Sequence, residues 1–174
     1  GIGRILSRSG AGAYSDNNPF ELPVKAKQLE WQFCKLPVCV NEKYPEVDNY
    51  PHTYYSKTSH GTCLESTLYL AQGFDGVTYS IIAKNQETFD YTEDFLRAFS
   101  KHRAYWDTLI ANNEGTRRSG LQVYVPQNIW SGESDQWYNV YPDSLPTYDF
   151  AGIPATYAEQ KTPCISYTAA WRIV

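Results

Sequence analysis

Apolar side chains recur along the first half of the chain at the three- and four-residue steps of an amphipathic helix. The first pattern predicts a helix over about residues 22–36, with an apolar face formed by Ala26, Leu29, Phe33 and Leu36. Pro37 ends this helix, and the short apolar run 38–40 predicts a buried strand. The first 21 residues are rich in Gly, Ser and Asn and predict a loop.

Two further helices are predicted, with one strand between them. The second helix covers about residues 59–72 and stops at Gly73, whereas the third covers about residues 91–112. The run 76–82 between them has the β-branched and aromatic content of a strand. Because helices alternate with short buried strands, the sequence predicts an α/β fold with a parallel sheet.

Carboxylates cluster in the segment that follows the predicted strand 38–40. Glu42, Glu46 and Asp48 lie within seven residues, and two prolines in the segment 41–52 argue against a helix there. In parallel α/β folds, functional loops follow the carboxyl ends of the strands. The segment 42–48 is therefore the best candidate for a functional site that the residues themselves indicate.

The chain changes character after the third helix. Residues 112–120 are polar, 121–125 alternate like a strand, and 152–157 and 164–167 predict further short strands. We therefore predict a first domain over residues 1–114, a linker at 115–120, and the start of a second domain, incomplete, at 121–174.

Composition narrows the classes of function. The net charge of −4 argues against a nucleic-acid partner, which requires a basic surface. No apolar run reaches the ~20 residues that span a bilayer, so no membrane partner is expected. The chain carries 15 Tyr and 5 Trp, whose apolar faces and polar tips suit carbohydrate sites.

The cysteines and histidines do not have the spacing of a metal site. The four cysteines form no CxxC pair, and the three histidines are not paired along the chain. Cys34 and Cys63 fall in apolar helical patterns, which favours buried free thiols, although an even number of cysteines also permits two disulfides. No metal site is expected.

An ordered series of motifs resembles the late barrel of β-galactosidase-like glycoside hydrolases, relatives of family 42 in the large TIM-barrel glycosidase clan. The motifs are Arg8-Ser-Gly-Ala-Gly-Ala-Tyr-Ser-Asp16, Glu46-Val-Asp-Asn-Tyr-Pro-His52, Lys57, Glu65 and Ala71-Gln-Gly-Phe-Asp-Gly-Val-Thr-Tyr79. The resemblance covers residues 3–110 well and 120–174 loosely. It implies the last two or three β/α units of a TIM barrel, followed by the beginning of a flavodoxin-like domain.

The resemblance also implies a retaining hydrolysis of β-linked sugars, which uses two carboxylates ~5–5.5 Å apart and no cofactor. In this clan a Glu at the end of the seventh strand is the nucleophile, which makes Glu46 the first candidate and Glu42 the second, with Asp48 third. Asp48 and Asn49 are expected to bind sugar hydroxyls or to hold the nucleophile. Tyr14 and Asp16 are expected to line the same pocket. Polysaccharide-degrading relatives are often exported, so a secreted or periplasmic location is slightly favoured.

A complete barrel needs about 250 residues. We therefore expect this chain to act with the remainder of a longer polypeptide or as a homo-oligomer, and to lack glycosidase activity alone. Two alternatives stay open: a non-catalytic α/β module that binds carbohydrate or protein, and an open flavodoxin-like domain. The second alternative requires a strand directly before the glycine-rich segment 9–14, and the sequence pattern shows no clear strand there.

Overall fold

The computed structural model describes the chain in nine separate stretches. They are residues 3–10, 14–34, 36–37, 39–49, 56–82, 90–116, 121–124, 155–158 and 165–166. Strands and helices alternate from the start. The elements are β1 (Leu6–Ser9), α1 (Glu21–Cys34), β2 (Glu42–Asp48), α2 (Ser59–Ala71), β3 (Thr78–Ser80), α3 (Asp90–Asn113), β4 (Leu121–Tyr124), β5 (Ala155–Ala158) and β6 (Ile165–Ser166).

The first three strands form one parallel sheet in the order β1-β2-β3. Helix α1 separates β1 from β2 along the chain, and α2 separates β2 from β3, as parallel neighbours require. The predicted α/β class is therefore confirmed. The three predicted helices are also confirmed to within about two residues at each end, because each has a continuous apolar face.

The central strand β2 pairs with one neighbour at a time. Residues 42–45 pair with β1, and residues 46–48 pair with β3. Pro45 is the last residue of β2 that pairs with β1. Its lack of a backbone N–H therefore falls at the point where the pairing of β2 changes from β1 to β3. This explains how a proline fits within a central strand.

The position predicted for this central strand is wrong. Cys39 is exposed in a turn that Val40 closes by donating its backbone N–H to the Pro37 carbonyl at 2.9 Å. The segment 42–48, interpreted as a loop after a strand, is itself the strand. Three apolar residues are a weaker signal than the alternation that buries Pro45 and Val47 and leaves acidic residues on the opposite face.

Strand β1 lies in the segment predicted to be a loop. Its sequence, Leu-Ser-Arg-Ser, has a single apolar residue, and pairing with β2 holds it in place. The argument against an open flavodoxin-like domain, that no strand precedes the glycine-rich segment, is therefore wrong. Residues 11–13 of that segment lie outside the described residues.

Helices α2 and α3 pack together on one face of this sheet. Their core contains Cys63, Leu70 and Trp106, and the Trp106 indole N–H donates to the Thr67 hydroxyl at 2.9 Å. Tyr79 of β3 points toward these helices, since its ring stacks on Phe99 at 4.3 Å. Odd-numbered residues of β2 and β3 therefore face helices, and even-numbered residues face the other way.

Cys63 is a buried free thiol, as predicted, and Cys39 is an exposed free thiol. The side chain of Cys34 lies outside the described residues.

The second sheet has a different strand order. Strand β4 lies in the middle, with β5 on one side and β6 on the other, and all three are parallel. The chain divides into two compact units: residues 1–29 with 37–116, and residues 30–36 with 117–174. Within the second unit, the Thr156 hydroxyl donates a hydrogen bond to the buried Glu30 carboxylate.

Candidate functional site

Polar side chains converge on the face of the first sheet opposite Tyr79, towards the carboxyl ends of its strands. Glu46 and Asp48 lie two residues apart on β2 and therefore point the same way. Arg8 of β1 contacts Glu46, and Ser80 of β3 is the registered neighbour of Asp48. These four residues form the candidate site, which three consecutive parallel strands supply.

Glu46 forms an ion pair with the guanidinium of Arg8, whose side chain is half exposed. Gly10 lies against the same carboxylate: a Cβ atom placed on Gly10 would come within 2.9 Å of Glu46 Oε2. The positive charge of Arg8 therefore lies directly beside the Glu46 carboxylate. The absence of a side chain at Gly10 leaves the room that this carboxylate occupies.

The carboxylate of Asp48 is more buried from solvent than an ordinary surface carboxylate. Burial raises the pKa of the Asp48 carboxyl, while the charges of Arg8 and Lys57 and a hydrogen bond from Ser80 act in the opposite direction. The Oδ1 atom of Asp48 is buried and has no hydrogen-bond partner among the described residues. A buried acceptor of this kind is suited to a hydroxyl group of a ligand.

A fully buried ion pair lies next to the end of β2. The Lys57 ammonium contacts Glu65 Oε2 and donates to the backbone carbonyl of Asp48 at 3.1 Å. The Tyr69 hydroxyl donates to Glu65 Oε1 at 2.6 Å. Burial, and then the charge of Glu65, hold the pKa of Tyr69 well above its ordinary value, so this hydroxyl keeps its proton at neutral pH.

Asn49 does not share the face of Asp48. Its backbone N–H donates to the Ser80 carbonyl at 3.0 Å and extends the β2–β3 ladder by one residue. Its side-chain oxygen lies 3.5 Å from the Thr62 hydroxyl on α2, so the amide faces the helix. The structure therefore separates Asn49 from the carboxylate with which the sequence pairs it.

Glu42 lies at the opposite end of β2. Three intervening residues place it roughly 13 Å from Glu46 along the strand, at about 3.3 Å per residue. Its carboxylate forms an ion pair with Arg4. The structure does not bring the second nucleophile candidate to the carboxyl end of the sheet, because the segment 42–48 is a strand and not a loop.

Asp16 is occupied in holding the start of α2. Its Oδ2 atom accepts hydrogen bonds from the backbone N–H and the hydroxyl of Thr58, both at 2.6 Å. Tyr14 is half exposed. The structure gives Asp16 a structural contact at the start of α2, and a place for either residue in the sugar pocket stays a prediction.

Two further motif residues pack inside the first unit. Glu65 of α2 is fully buried and paired with Lys57. Tyr79 points to the helices, and its hydroxyl donates to Ser66 at 3.0 Å. Burial raises the pKa of Tyr79 to about 12, so its hydroxyl also keeps its proton at neutral pH.

Arg8 and Ser80 are the contributors that the sequence did not single out as site residues, whereas Lys57 was a motif residue to which the sequence assigned no role. Arg8 and Ser80 become neighbours of the carboxylates only through strand pairing. Strand parity is the one signal that could have found Asp48 beside Glu46, because residues two apart in a strand share a face.

The described helices include none that is long and apolar enough to cross a membrane. Within the described residues, no group of three or more His, Cys, Asp or Glu side chains is placed to hold a metal ion. No family model matches the chain, and neither the curated proteins nor the solved structures contain a match.

Proposed function

We propose that this chain forms part of a retaining glycoside hydrolase that acts on β-linked sugars, with Glu46 as its nucleophile. The observation that carries the proposal is the pairing of Glu46 with Arg8, beside Asp48, on the face of a parallel sheet opposite Tyr79. An ionised carboxylate in this position is the group that such a reaction requires.

The arrangement of the strands supports a barrel origin for the first unit. Its strands are adjacent in the order in which they occur along the chain, as in a (β/α)8 barrel. Pairing of β2 first with β1 and then with β3 staggers the strands, and stagger is a condition for closing a sheet into a barrel.

The second sheet supports a flavodoxin-like second domain. Its order β5-β4-β6 places the first strand between the second and the third. This is the order of the first three strands of a flavodoxin-like sheet.

In the proposed reaction, the Glu46 carboxylate attacks the anomeric carbon as the bond to the leaving group breaks. A second carboxyl group, which the resemblance assigns to an earlier barrel strand, protonates the leaving oxygen. Water then hydrolyses the glycosyl ester, and the same carboxyl group removes its proton. Asp48 contributes by accepting a hydrogen bond from a sugar hydroxyl at its unpartnered Oδ1 atom.

The test uses the natural polypeptide that contains these 174 residues and an aryl β-galactoside. Glu46→Gln should reduce kcat by about 10³-fold or more, because a neutral amide cannot form the covalent intermediate. Glu42→Gln is the matched control, since Glu42 lies on the same strand and face and is also paired with an arginine. It should retain most of the activity.

A slow 2-fluoro-glycoside should also leave its sugar covalently attached to the peptide that contains Glu46, which mass spectrometry can locate. Equal loss of activity in both variants, or a label on a different peptide, would refute the assignment of Glu46. Sugar binding without turnover by the unmodified polypeptide would instead support the non-catalytic module.

A further inference from the structure

The most unusual feature outside the proposed catalytic pair is the buried ion pair between Lys57 and Glu65. Both side chains are at most 1% exposed, although charged groups are seldom fully buried. Removing two charges from water is costly unless hydrogen bonds satisfy both of them. The surroundings of this pair provide such bonds.

Both oxygens of the Glu65 carboxylate have a donor. Oε2 contacts the Lys57 ammonium, and Oε1 accepts the Tyr69 hydroxyl at 2.6 Å. Glu65 and Tyr69 lie four residues apart on α2, so the helix holds them on one face. Glu65 and Tyr69 therefore hold the Lys57 ammonium in one position.

The ammonium of Lys57 also binds the backbone at the end of β2. It donates to the Asp48 carbonyl at 3.1 Å, at the last residue that pairs with β3. The side chain of Asp48 leaves the same residue on the opposite side of the sheet from Tyr79. Fixing this carbonyl consequently fixes the direction in which the Asp48 carboxylate points.

The groups that surround Asp48 come from each neighbouring element. Arg8 of β1 and Ser80 of β3 flank its carboxylate, and Lys57 lies before α2. Tyr69 of α2 is close enough for the charge of Asp48 to raise its pKa. Glu46 shares the face of β2. Lys57 is the one buried cation in this set, because Arg8 is half exposed.

We propose that Lys57 is a positioning residue, held by Glu65 and Tyr69, that fixes the end of β2 and the Asp48 carboxylate beside it. It does not touch the sugar. The inference deepens the proposed hydrolase function and rests on it for the catalytic consequence, whereas the effect on Asp48 is measurable without any substrate.

The test removes both charges together, because Lys57→Met alone would leave Glu65 buried without its counter-ion. The double variant K57M/E65Q retains the volume of both side chains. Its matched control is R97M/E93Q, which likewise removes one cation and one carboxylate, from an exposed ion pair on α3. Circular dichroism and thermal melting establish that both variants are folded.

The titration of the Asp48 carboxyl is the measurement that a merely structural role of Lys57 would leave unchanged. In K57M/E65Q the carboxyl 13C resonance of Asp48 should titrate at higher pH than in the unmodified chain, because Lys57 is among the charges that lower the pKa of Asp48, whereas Glu65, which the variant also neutralises, is not among the groups that shift it. In R97M/E93Q it should be unchanged. In the natural polypeptide, the first variant should also lose about 10²-fold in kcat from misplacement of the site.

An unchanged Asp48 titration in a folded K57M/E65Q chain would overturn the proposal, even if Glu46 proves to be the nucleophile. If K57M/E65Q does not fold, the proposal is tested in the unmodified chain. The 15Nζ chemical shift of Lys57 should then change with pH at the midpoint of the Asp48 titration. A Lys57 chemical shift that does not change at this midpoint would refute the proposal.

The two proposals fail separately. If Glu46→Gln retains full activity while Asp48 responds to the loss of Lys57, the hydrolase assignment is wrong and Lys57 still positions Asp48.

Discussion

At the scale of single residues, the environment of Asp48 sets how its charge affects stability. Burial raises its pKa on folding, so the folded chain binds this proton more tightly than the unfolded chain does. The contribution of Asp48 to stability is then greatest below the unfolded pKa of about 3.9 and declines as the pH rises through the folded pKa.

Asp48→Asn should therefore raise the free energy of unfolding at pH 7 and leave it nearly unchanged near pH 3, where both side chains are neutral. Urea unfolding at the two pH values measures the difference. Asp94→Asn, at an exposed position on α3, serves as the control for the loss of one carboxylate. Destabilisation by Asp48→Asn at pH 7 would mean that the bonds to the ionised carboxylate outweigh its burial.

Gly10 illustrates how the absence of a side chain shapes the site. Gly10→Ala should displace the Glu46 carboxylate, because the new Cβ atom would lie 2.9 Å from Oε2. The displaced atom is the end of a flexible side chain, so stability should change by less than about 1 kcal/mol. The kcat of the natural polypeptide should fall by roughly 10²-fold.

Gly3→Ala is the matched control for this change, since a Cβ atom at Gly3 meets nothing within 4 Å. Stability is measured by thermal melting and kcat with an aryl galactoside. Full activity in Gly10→Ala would show that the precise position of Glu46 does not matter for turnover.

At the scale of elements, the start of α2 joins two parts of the first unit. Thr58 is the N-cap, and its hydroxyl oxygen accepts the Gly61 N–H at 3.0 Å. The Thr58 hydroxyl in turn donates to Asp16, which precedes α1 along the chain. The cap therefore holds both the helix that contains Glu65 and the segment that leads into α1.

Thr58→Ala should destabilise the chain by about 1–2 kcal/mol, because it removes the cap and one of the hydrogen bonds to Asp16. Thr108→Ala is the comparison, since its hydroxyl donates to the Ala104 carbonyl on an exposed part of α3. It should change stability by less than about 0.5 kcal/mol. Equal midpoints of urea unfolding for the two variants would contradict the importance of this cap.

Element by element, helices were easier to predict than strands. The apolar faces of α2 and α3 repeat over three or more turns, and a local pattern of that length is sufficient. Strand β1 was missed because it has four residues, of which only Leu6 is apolar. Strand β2 was displaced to the apolar run 38–40, although its own alternation was the better local signal. Both strands are held by pairing with residues more than 30 positions away, and no local pattern reports such partners.

At the scale of the whole molecule, helix α1 spans the division between the two compact units. Residues 21–29 belong to the first unit, and residues 30–36 belong to the second. Both parts carry fully buried side chains, such as Leu29 and Trp31. The two units consequently share one helix along the chain.

A chain truncated after Thr116 should keep the core of α2 and α3 and lose order at the end of α1. The Trp106 indole N–H resonance should keep its position, because its partner Thr67 lies within the first unit. Trp31 should become accessible to acrylamide quenching, since the rest of its unit is removed. Loss of the Trp106 resonance would show that the first unit does not fold without the second.

The sequence by itself determined the α/β class, the three helices and the short stretch that carries Glu46 and Asp48, because helical periodicity and residue chemistry are local properties. Only the tertiary structure decided that Glu42 lies far from this stretch, that Asn49 faces α2, and that Lys57 is paired with Glu65. The reason is physical: strand pairing and burial join residues from separate segments, and a side chain's neighbours across a sheet depend on register.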